Sequence, residues 1–139
     1  MIAKVTRGAR MSGLMTYLVG PGKSNEHTEQ HLVAGDSAVM TMYGYDSLDK
    51  AAALEIAASL DAPRREFGVD VTRLVTRVDP DTGETVKERV DASVWHCSLS
   101  IAADEGQLSD EKWGQIAQEF VDRMGFTEVS GKAACRWVA

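Results

Sequence analysis

The sequence predicts an α+β fold in which helices cover one face of an antiparallel sheet. Two short segments alternate apolar and polar residues as strands do, 2–6 and 93–102. Three segments instead repeat apolar residues at helical spacing, 12–19, 48–60 and 110–124. The turn Asp79-Pro80-Asp81-Thr82-Gly83 separates two further alternating segments, so an exposed hairpin is expected there.

Start and stop signals set the limits of the helices. Ser109 is a favoured N-cap for the last helix, and Gly125 is a favoured residue just after its end. Ser47 is expected to cap the second helix, and Pro63 is expected to stop it. The remaining segments are assigned as a central strand at 93–102, flanking strands at 2–6 and 133–138, a short strand at 38–45 and a loop at 20–37.

Length and composition indicate one domain, residues 1–139, with 44% apolar and 26% charged residues. The sequence has no apolar run long enough for a membrane span, and its N-terminal segment does not resemble a secretory signal. Cys97 and Cys135 both lie among apolar residues, which predicts buried free thiols in a reducing compartment. A cytoplasmic location is therefore expected.

The charge balance is acidic, with a formal net charge of −6. Proteins that bind nucleic acid usually carry a basic surplus, because phosphate contacts need cations. The distribution is uneven, however, since the first 25 residues hold four cations and no carboxylate. Those cations are Lys4, Arg7, Arg10 and Lys23.

Three motifs have both a functional and an ordinary interpretation. The segment 19–24 ends in Gly-Lys-Ser like a phosphate-binding loop, but it follows a helix and Tyr17 stands where that pattern needs glycine. Helix termination is the simpler interpretation, and a nucleotide-using enzyme is the alternative.

His27 and His31 have metal-ligand spacing but are expected to be surface histidines. His96 is either a hydrogen-bonded sheet residue or a ligand contact.

Tyr17 is the strongest candidate for chemistry. It falls about 120° from the centre of the apolar stripe on its helix, so it lies on the flank of that helix. A phenol with a pKa near 10 is an uncommon nucleophile. It suits transesterification of DNA, in which a covalent phosphotyrosine conserves the energy of the broken bond. Half-buried packing is the ordinary alternative for this residue.

In motif order, the chain resembles the relaxase, or mobilisation nuclease, family of conjugative plasmids and integrative elements, especially the tyrosine relaxases of actinobacteria. The resemblance is carried by KVTRG (4–8), GLMTYL (13–18), WHCSLS (95–100), QLSDEKW (107–113) and MGF (124–126). It implies an incomplete HUH-type nuclease domain. Tyr17 matches the nicking tyrosine of the first motif, and Ser100 matches the second-motif serine that contacts DNA. His96 begins that second motif.

The resemblance further implies a DNA-nicking transesterase that binds single-stranded origin-of-transfer DNA and works with relaxosome accessory and coupling proteins. Arg7, Arg10 and Lys23 would contact the DNA together with His96 and Ser100. The family binds a divalent metal through a histidine cluster, and the histidines of this chain do not match that cluster. We therefore expect a domain cut short before its metal motif, with weak or no activity by itself.

Two further expectations follow. The same fold without cutting activity would be a DNA- or protein-binding module, and the net charge of −6 favours a protein partner. A sheet that lacks a strand would expose an edge, through which the chain could form a homo-oligomer.

Overall fold

The computed structural model describes residues 1–44, 47–131 and 134–139. The described part contains four strands, four α-helices and two single 3₁₀ turns. In chain order the elements are β1 Ile2–Gly8, α1 Met11–Val19, α2 Ser37–Tyr43, α3 Lys50–Glu66, β2 Thr72–Val78, β3 Thr85–Asp91, β4 Val94–Ser100, a 3₁₀ turn Ala103–Glu105, α4 Asp110–Arg123 and a 3₁₀ turn Glu128–Ser130. The fold is α+β, as the sequence predicts.

The strands form two separate antiparallel pairs. β1 pairs with β4, so that Thr6 lies opposite His96. β2 pairs with β3 across the predicted hairpin, and its turn is closed by the Asp79 amide donating to the Glu84 carbonyl at 2.8 Å. Gly83 adopts φ +70° in that turn, a conformation that glycine takes without steric cost. Within the described ranges neither pair gains a third strand, so both retain open edges.

The first three helices enclose the main apolar core. Ile56 and Ala53 of α3 are fully buried, and Met15 of α1 and Val39 of α2 pack with them. α1 and α3 share the most extensive of the helix contacts. Because Met15 points into this core, the opposite flank of α1 is left facing outward.

A second packing layer joins β4 to α4. The Trp95 ring stacks near Phe120 with centroids 6.0 Å apart, and the edge of Phe126 meets it at 5.0 Å. Trp95 alternates along the strand with Cys97 and Leu99, so these apolar residues share one face of β4. α4 itself begins where predicted, because the Ser109 side chain accepts a hydrogen bond from the Lys112 amide.

The prediction of a strand at 38–45 was wrong. Residues 37–43 form α2, and Tyr45 lies outside the described residues. The physical reason is the Asp36 side chain, which accepts a hydrogen bond from the Val39 amide and so starts a helix. β-branched and aromatic residues in this short segment favour a strand only in the absence of such a cap.

The predicted flanking strand at 133–138 is also not found. Residues 134–137 form no regular structure, Val138 makes an isolated bridge with Gly35, and Ala133 lies outside the described residues. Residues 137–139 instead exchange backbone hydrogen bonds of 2.8–3.2 Å with residues 33–36, and the Arg136 guanidinium contacts the Asp36 carboxylate at 3.0 Å. β4 is therefore paired with β1 and does not lie at the centre of a three-stranded sheet in the described part of the chain.

Helix α3, which the sequence predicts at 48–60, begins and ends later than predicted. Asp49 caps it, since its side chain accepts from the Ala52 amide at 2.8 Å, whereas Ser47 pairs with His31 in an isolated bridge. Pro63 lies inside the helix, which continues to Glu66. The other helix limits agree with prediction within one residue.

The cysteines agree with expectation only in part. Both are free thiols, but Cys97 is half-buried and Cys135 is exposed. Cys135 is exposed because its segment does not enter a sheet. In the described ranges no helix combines the length and hydropathy needed to cross a bilayer.

Candidate active site around Tyr17

Tyr17 lies near the C-terminal end of α1 and is 40% exposed, while Met15 two residues earlier is only 4% exposed. This difference follows from the helical spacing, which turns Met15 towards the core and Tyr17 to the flank. The phenol is thus accessible to a ligand, as a nucleophile must be.

A loop from Gly20 to His31 folds back over the end of α1. The His27 Nδ1 atom lies 3.1 Å from both the Tyr17 and the Gly20 carbonyl oxygens, and the Gln30 side-chain amide donates to the Gly20 oxygen at 2.9 Å. Since both partners of Nδ1 are acceptors, we assign the imidazole proton to that nitrogen. These bonds satisfy carbonyls that the helix end leaves unpaired.

The His27 ring also meets the Tyr17 ring edge to face, with centroids 4.9 Å apart. Together the ring contact and the carbonyl contacts place the loop beside the phenol. The loop therefore supplies the immediate surroundings of Tyr17.

The Glu26 carboxylate accepts the hydrogen bond of the Tyr17 phenol. Its Oε1 atom accepts from the Tyr17 hydroxyl at 3.2 Å and from the Lys23 amide at 3.1 Å, and its Oε2 atom accepts from the Ser24 amide at 2.6 Å. The Ser24 amide, followed by other backbone amides, lowers the pKa of Glu26 to about 2. The carboxylate is therefore ionised at any physiological pH.

The same contact acts on Tyr17 in the opposite direction. The hydrogen bond donated to Glu26 raises the pKa of the Tyr17 phenol, and the negative charge of Glu26 adds to this effect. In the free protein the phenol is thus held neutral. Glu26 with so low a pKa is a weak base, so it orients the phenol without activating it.

The cations predicted from the sequence are placed differently from one another. The Arg7 guanidinium donates to the Ala92 carbonyl at 2.9 and 3.3 Å, so it braces the junction before β4. Arg10 precedes α1 and is exposed. Lys23 is exposed in the loop, and its backbone amide belongs to the Glu26 contact set. Within the described ranges, Lys23 is the predicted cation that shares a hydrogen-bond partner with Tyr17, because its backbone amide and the Tyr17 hydroxyl both donate to Glu26.

His96 and Ser100 lie on one face of β4. The imidazole is flanked by the Thr6 and Ser98 hydroxyls, each at 3.4 Å, and burial lowers the pKa of His96. Ser100 is exposed opposite Ile2 at the other end of the pairing. Among the contacts of the described residues, none joins this face of β4 to Tyr17, Glu26 or His27.

His31 links the loop to α4. Its Nε2 atom lies 2.8 Å from the Asp110 carboxylate, and its Nδ1 atom lies 2.5 Å from the Glu29 carbonyl. The Glu29 carbonyl first and the Asp110 carboxylate second raise the pKa of His31. The imidazolium is thereby favoured, since both ring nitrogens then donate.

A groove of about 410 Å³ opens beside the loop. Its apolar side comes from α1, through Met15, Leu18 and Val19, and its polar side includes Glu26 and His27. The groove therefore has an apolar wall next to hydrogen-bonding groups. This combination suits a ligand that has both apolar and polar parts.

Sequence reasoning did not identify Glu26 or Gly22 as site residues. Gly22 adopts φ +79°, and a Cβ atom there would lie 2.4–2.6 Å from the three carboxyl atoms of Glu26. Neither residue belongs to a repeating pattern of apolar and polar residues, because the loop has no repeating geometry. The Gly-Pro-Gly sequence was the one available hint that the backbone takes an unusual path here.

The residues do not fit the divalent metal that the resemblance implies. Across residues 1–44, 47–131 and 134–139, no three His, Cys, Asp or Glu side chains come together as metal ligands. His27, His31 and His96 each have separate hydrogen-bond partners. We therefore derive no step through a metal.

Residues 82–130 match the family model described as Relaxase: MobA/VirD2-like, nuclease domain. The matched segment runs from the hairpin turn through β3, β4 and α4, and it includes His96 and Ser100 but not Tyr17. No curated protein and no solved structure matches the chain.

Proposed function

From the partial relaxase nuclease domain at residues 82–130, we propose that the chain is a DNA relaxase acting in conjugative mobilisation. It would cut one DNA strand at a specific site, with Tyr17 as the nucleophile. The family match is the observation that carries the proposal. The accessible phenol on α1 supports the role of Tyr17.

The reaction is a transesterification. The Tyr17 oxygen forms a bond to the scissile phosphorus, the bond from phosphorus to the 3′ oxygen breaks, and the phenolic proton ends on that 3′ oxygen. The products are a 5′-phosphotyrosine link and a free 3′ hydroxyl. The step needs positive charge near the phosphate, because negative charge builds up on it in the transition state.

We propose that single-stranded DNA lies along the loop beside Tyr17. Lys23 is exposed there, and the neighbouring groove offers an apolar wall for one nucleobase. Arg7, Arg10 and the β4 face with His96 and Ser100 would contact flanking nucleotides. In this arrangement the 20–37 loop and the exposed β2–β3 hairpin border the DNA.

A capture experiment tests the proposal. The purified chain is incubated with a random single-stranded DNA library in Mg²⁺ or Mn²⁺ buffer, and covalent protein–DNA adducts are separated under denaturing conditions. Because the chain by itself is expected to be weakly active at most, adducts are expected in low yield from the wild-type chain and from Tyr43→Phe, and not from Tyr17→Phe. Tyr43 is a matched control, because its phenol also donates to a carboxylate, that of Glu55. Equal adduct yields from both variants would refute the role of Tyr17.

A non-catalytic binding module of the same fold is the second candidate. It is favoured by the net charge of −6 and by the carboxylate that holds the phenol neutral. Such a module would bind without forming adducts. Affinity for single-stranded DNA that falls steeply between low and high salt would indicate a DNA groove. No binding at low salt would indicate a protein partner.

The remaining assignments are proposals of the same kind. Residues 1–139 would form one relaxase-like domain that lies in the cytoplasm and works with accessory and coupling proteins. The open edges of the strand pairs would allow a homo-oligomer. Scattering at high protein concentration that shows only monomer would count against the last of these.

A further inference from the structure

Two consecutive backbone amides in the loop after α1 converge on one anion. The Lys23 amide and the Ser24 amide both donate to the Glu26 carboxylate, at 3.1 and 2.6 Å. Consecutive amides that point into one concavity are a recurring way for proteins to bind phosphate and carboxylate groups. Here the anion is supplied by the chain itself.

The residues that flank these two amides have unusual backbone conformations. Gly22 has φ +79° and Asn25 has φ +55°, so the residues on both sides of the two amides take left-handed conformations. A side chain at Gly22 would collide with the Glu26 carboxyl group at 2.4 Å. The glycine therefore keeps open the space that the anion occupies.

The Tyr17 hydroxyl is the third donor to the same group. It lies 3.2 Å from Oε1 of Glu26, the oxygen that the Lys23 amide also contacts. A phosphate that took the place of the carboxylate would have an oxygen within hydrogen-bond distance of the phenol. Its phosphorus would then lie close to the atom that has to attack it.

We propose that the Glu26 carboxylate occupies a phosphate site in the free protein, and that a phosphodiester of single-stranded DNA displaces it from the Lys23 and Ser24 amides beside Tyr17. The placement of the phosphate next to the nucleophile rests on the proposed function. The anion site itself stands on the geometry of the loop.

Three features of the loop allow this exchange of Glu26 for a phosphate. Its side chain is exposed, so it can swing into solvent without opening the core. Its hydrogen bonds are all to its own loop and to Tyr17, so no distant element holds it in place. Lys23 is exposed beside it and can meet the incoming phosphate. While bound, the carboxylate accepts the hydrogen bonds of both amides and of the phenol, so it competes with an incoming phosphate for these donors.

The test is a titration with inorganic phosphate, followed through the amide NMR signals of Lys23 and Ser24. We compare wild type with Glu26→Gln, which keeps the shape of the side chain but removes its charge. Glu29→Gln is the matched control, since it removes the same charge from the same loop at an exposed position. Loss of a charge-assisted competitor is expected to lower the phosphate concentration for half-maximal shift about tenfold in Glu26→Gln. Glu29→Gln should stay within about twofold of wild type.

A single-stranded oligonucleotide then replaces inorganic phosphate in the same titration. The two amide signals are expected to shift with the oligonucleotide also, and again at lower concentration in Glu26→Gln. If only free phosphate shifts them, the assignment to DNA is overturned. If the two glutamine variants respond alike, or other amides shift instead, the phosphate site is overturned. Should Glu26→Gln fail to fold, the wild-type titration decides alone: unmoved Lys23 and Ser24 signals up to saturation of the oligonucleotide refute the site.

The outcome can be separated from that of the proposed function. Shifts at the two amides without any covalent adduct would support the phosphate site and count against the nicking reaction. Adducts at Tyr17 without those shifts would support the nicking reaction and count against the site.

Discussion

Ile56 is fully buried on α3, where it contacts the same core that seats α1 and hence Tyr17. Replacing Ile56 by alanine removes three carbon groups, worth about 2.4 kcal/mol at about 0.8 kcal/mol for each. The residual cavity adds to this, so we expect a loss of about 2 to 5 kcal/mol in the free energy of unfolding. The midpoint of thermal unfolding should fall by roughly 5 to 15 °C.

The measurement is urea unfolding followed by circular dichroism at 222 nm, with an unchanged slope as the sign that only stability has moved. Leu54→Ala is the matched control, because Leu54 lies on the same helix but is 44% exposed. It should cost about 1 kcal/mol or less. Equal losses in the two variants would mean that α3 does not face the core as described, and the placement of α1 would fail with it.

The other predictions concern the loop and its contacts. Glu26 has a folded pKa of about 2 against an ordinary 4.5, so the stability it contributes is present above pH 4.5 and is lost as the pH falls towards 2. Acid titrations of Glu26→Gln should lack that component, and identical curves would contradict the contact. The Glu29 carbonyl and, second, the Asp110 carboxylate raise the pKa of His31, so their contacts stabilise fully below about pH 6.5 and are lost as the pH rises through the folded pKa. Asp110→Asn should lower the His31 pKa in an NMR titration, and an unchanged pKa would exclude the pair. Gly114→Ala should cost about 1 to 3 kcal/mol in chemical unfolding, because its Cβ would lie 2.6 Å from the Val33 carbonyl oxygen, and a more stable variant would contradict this packing.

The elements that the sequence predicted well are those with a local cause. α4 has a serine N-cap, a regular apolar stripe and a glycine after its end, and all three act within a few residues of chain. The β2–β3 hairpin has a turn whose proline and glycine favour its backbone angles. Each of these signals is complete in the sequence itself.

The segments whose structure was predicted wrongly are determined by contacts that are distant in sequence or by weak local signals. The Asp36 cap competes with strand-forming residues that follow it, and the helix forms because Val39 then reaches the core. The C-terminal segment alternates like a strand, but its backbone bonds to residues 33–36, and Arg136 pairs with Asp36, one hundred residues away in sequence. No pattern in a single sequence identifies such a partner.

The candidate site could be predicted only in part. The position of Tyr17 outside the apolar stripe predicted a residue on the flank of its helix, and in the structure Tyr17 is 40% exposed. The Glu26 contact could not be foreseen, because it depends on the path of a glycine-bearing loop with no repeating geometry. That contact affects the reactivity of the proposed nucleophile, because an ionised carboxylate lies beside the Tyr17 phenol and raises its pKa.

Peptide mapping of the covalent product tests the central claim most directly. Wild-type chain that has reacted with single-stranded DNA is digested with protease and nuclease, and the peptides are analysed by mass spectrometry. We expect a nucleotide remnant joined through its 5′ phosphate to Tyr17. A remnant on another residue, or cleaved DNA with an unmodified Tyr17 throughout the reaction, would contradict it.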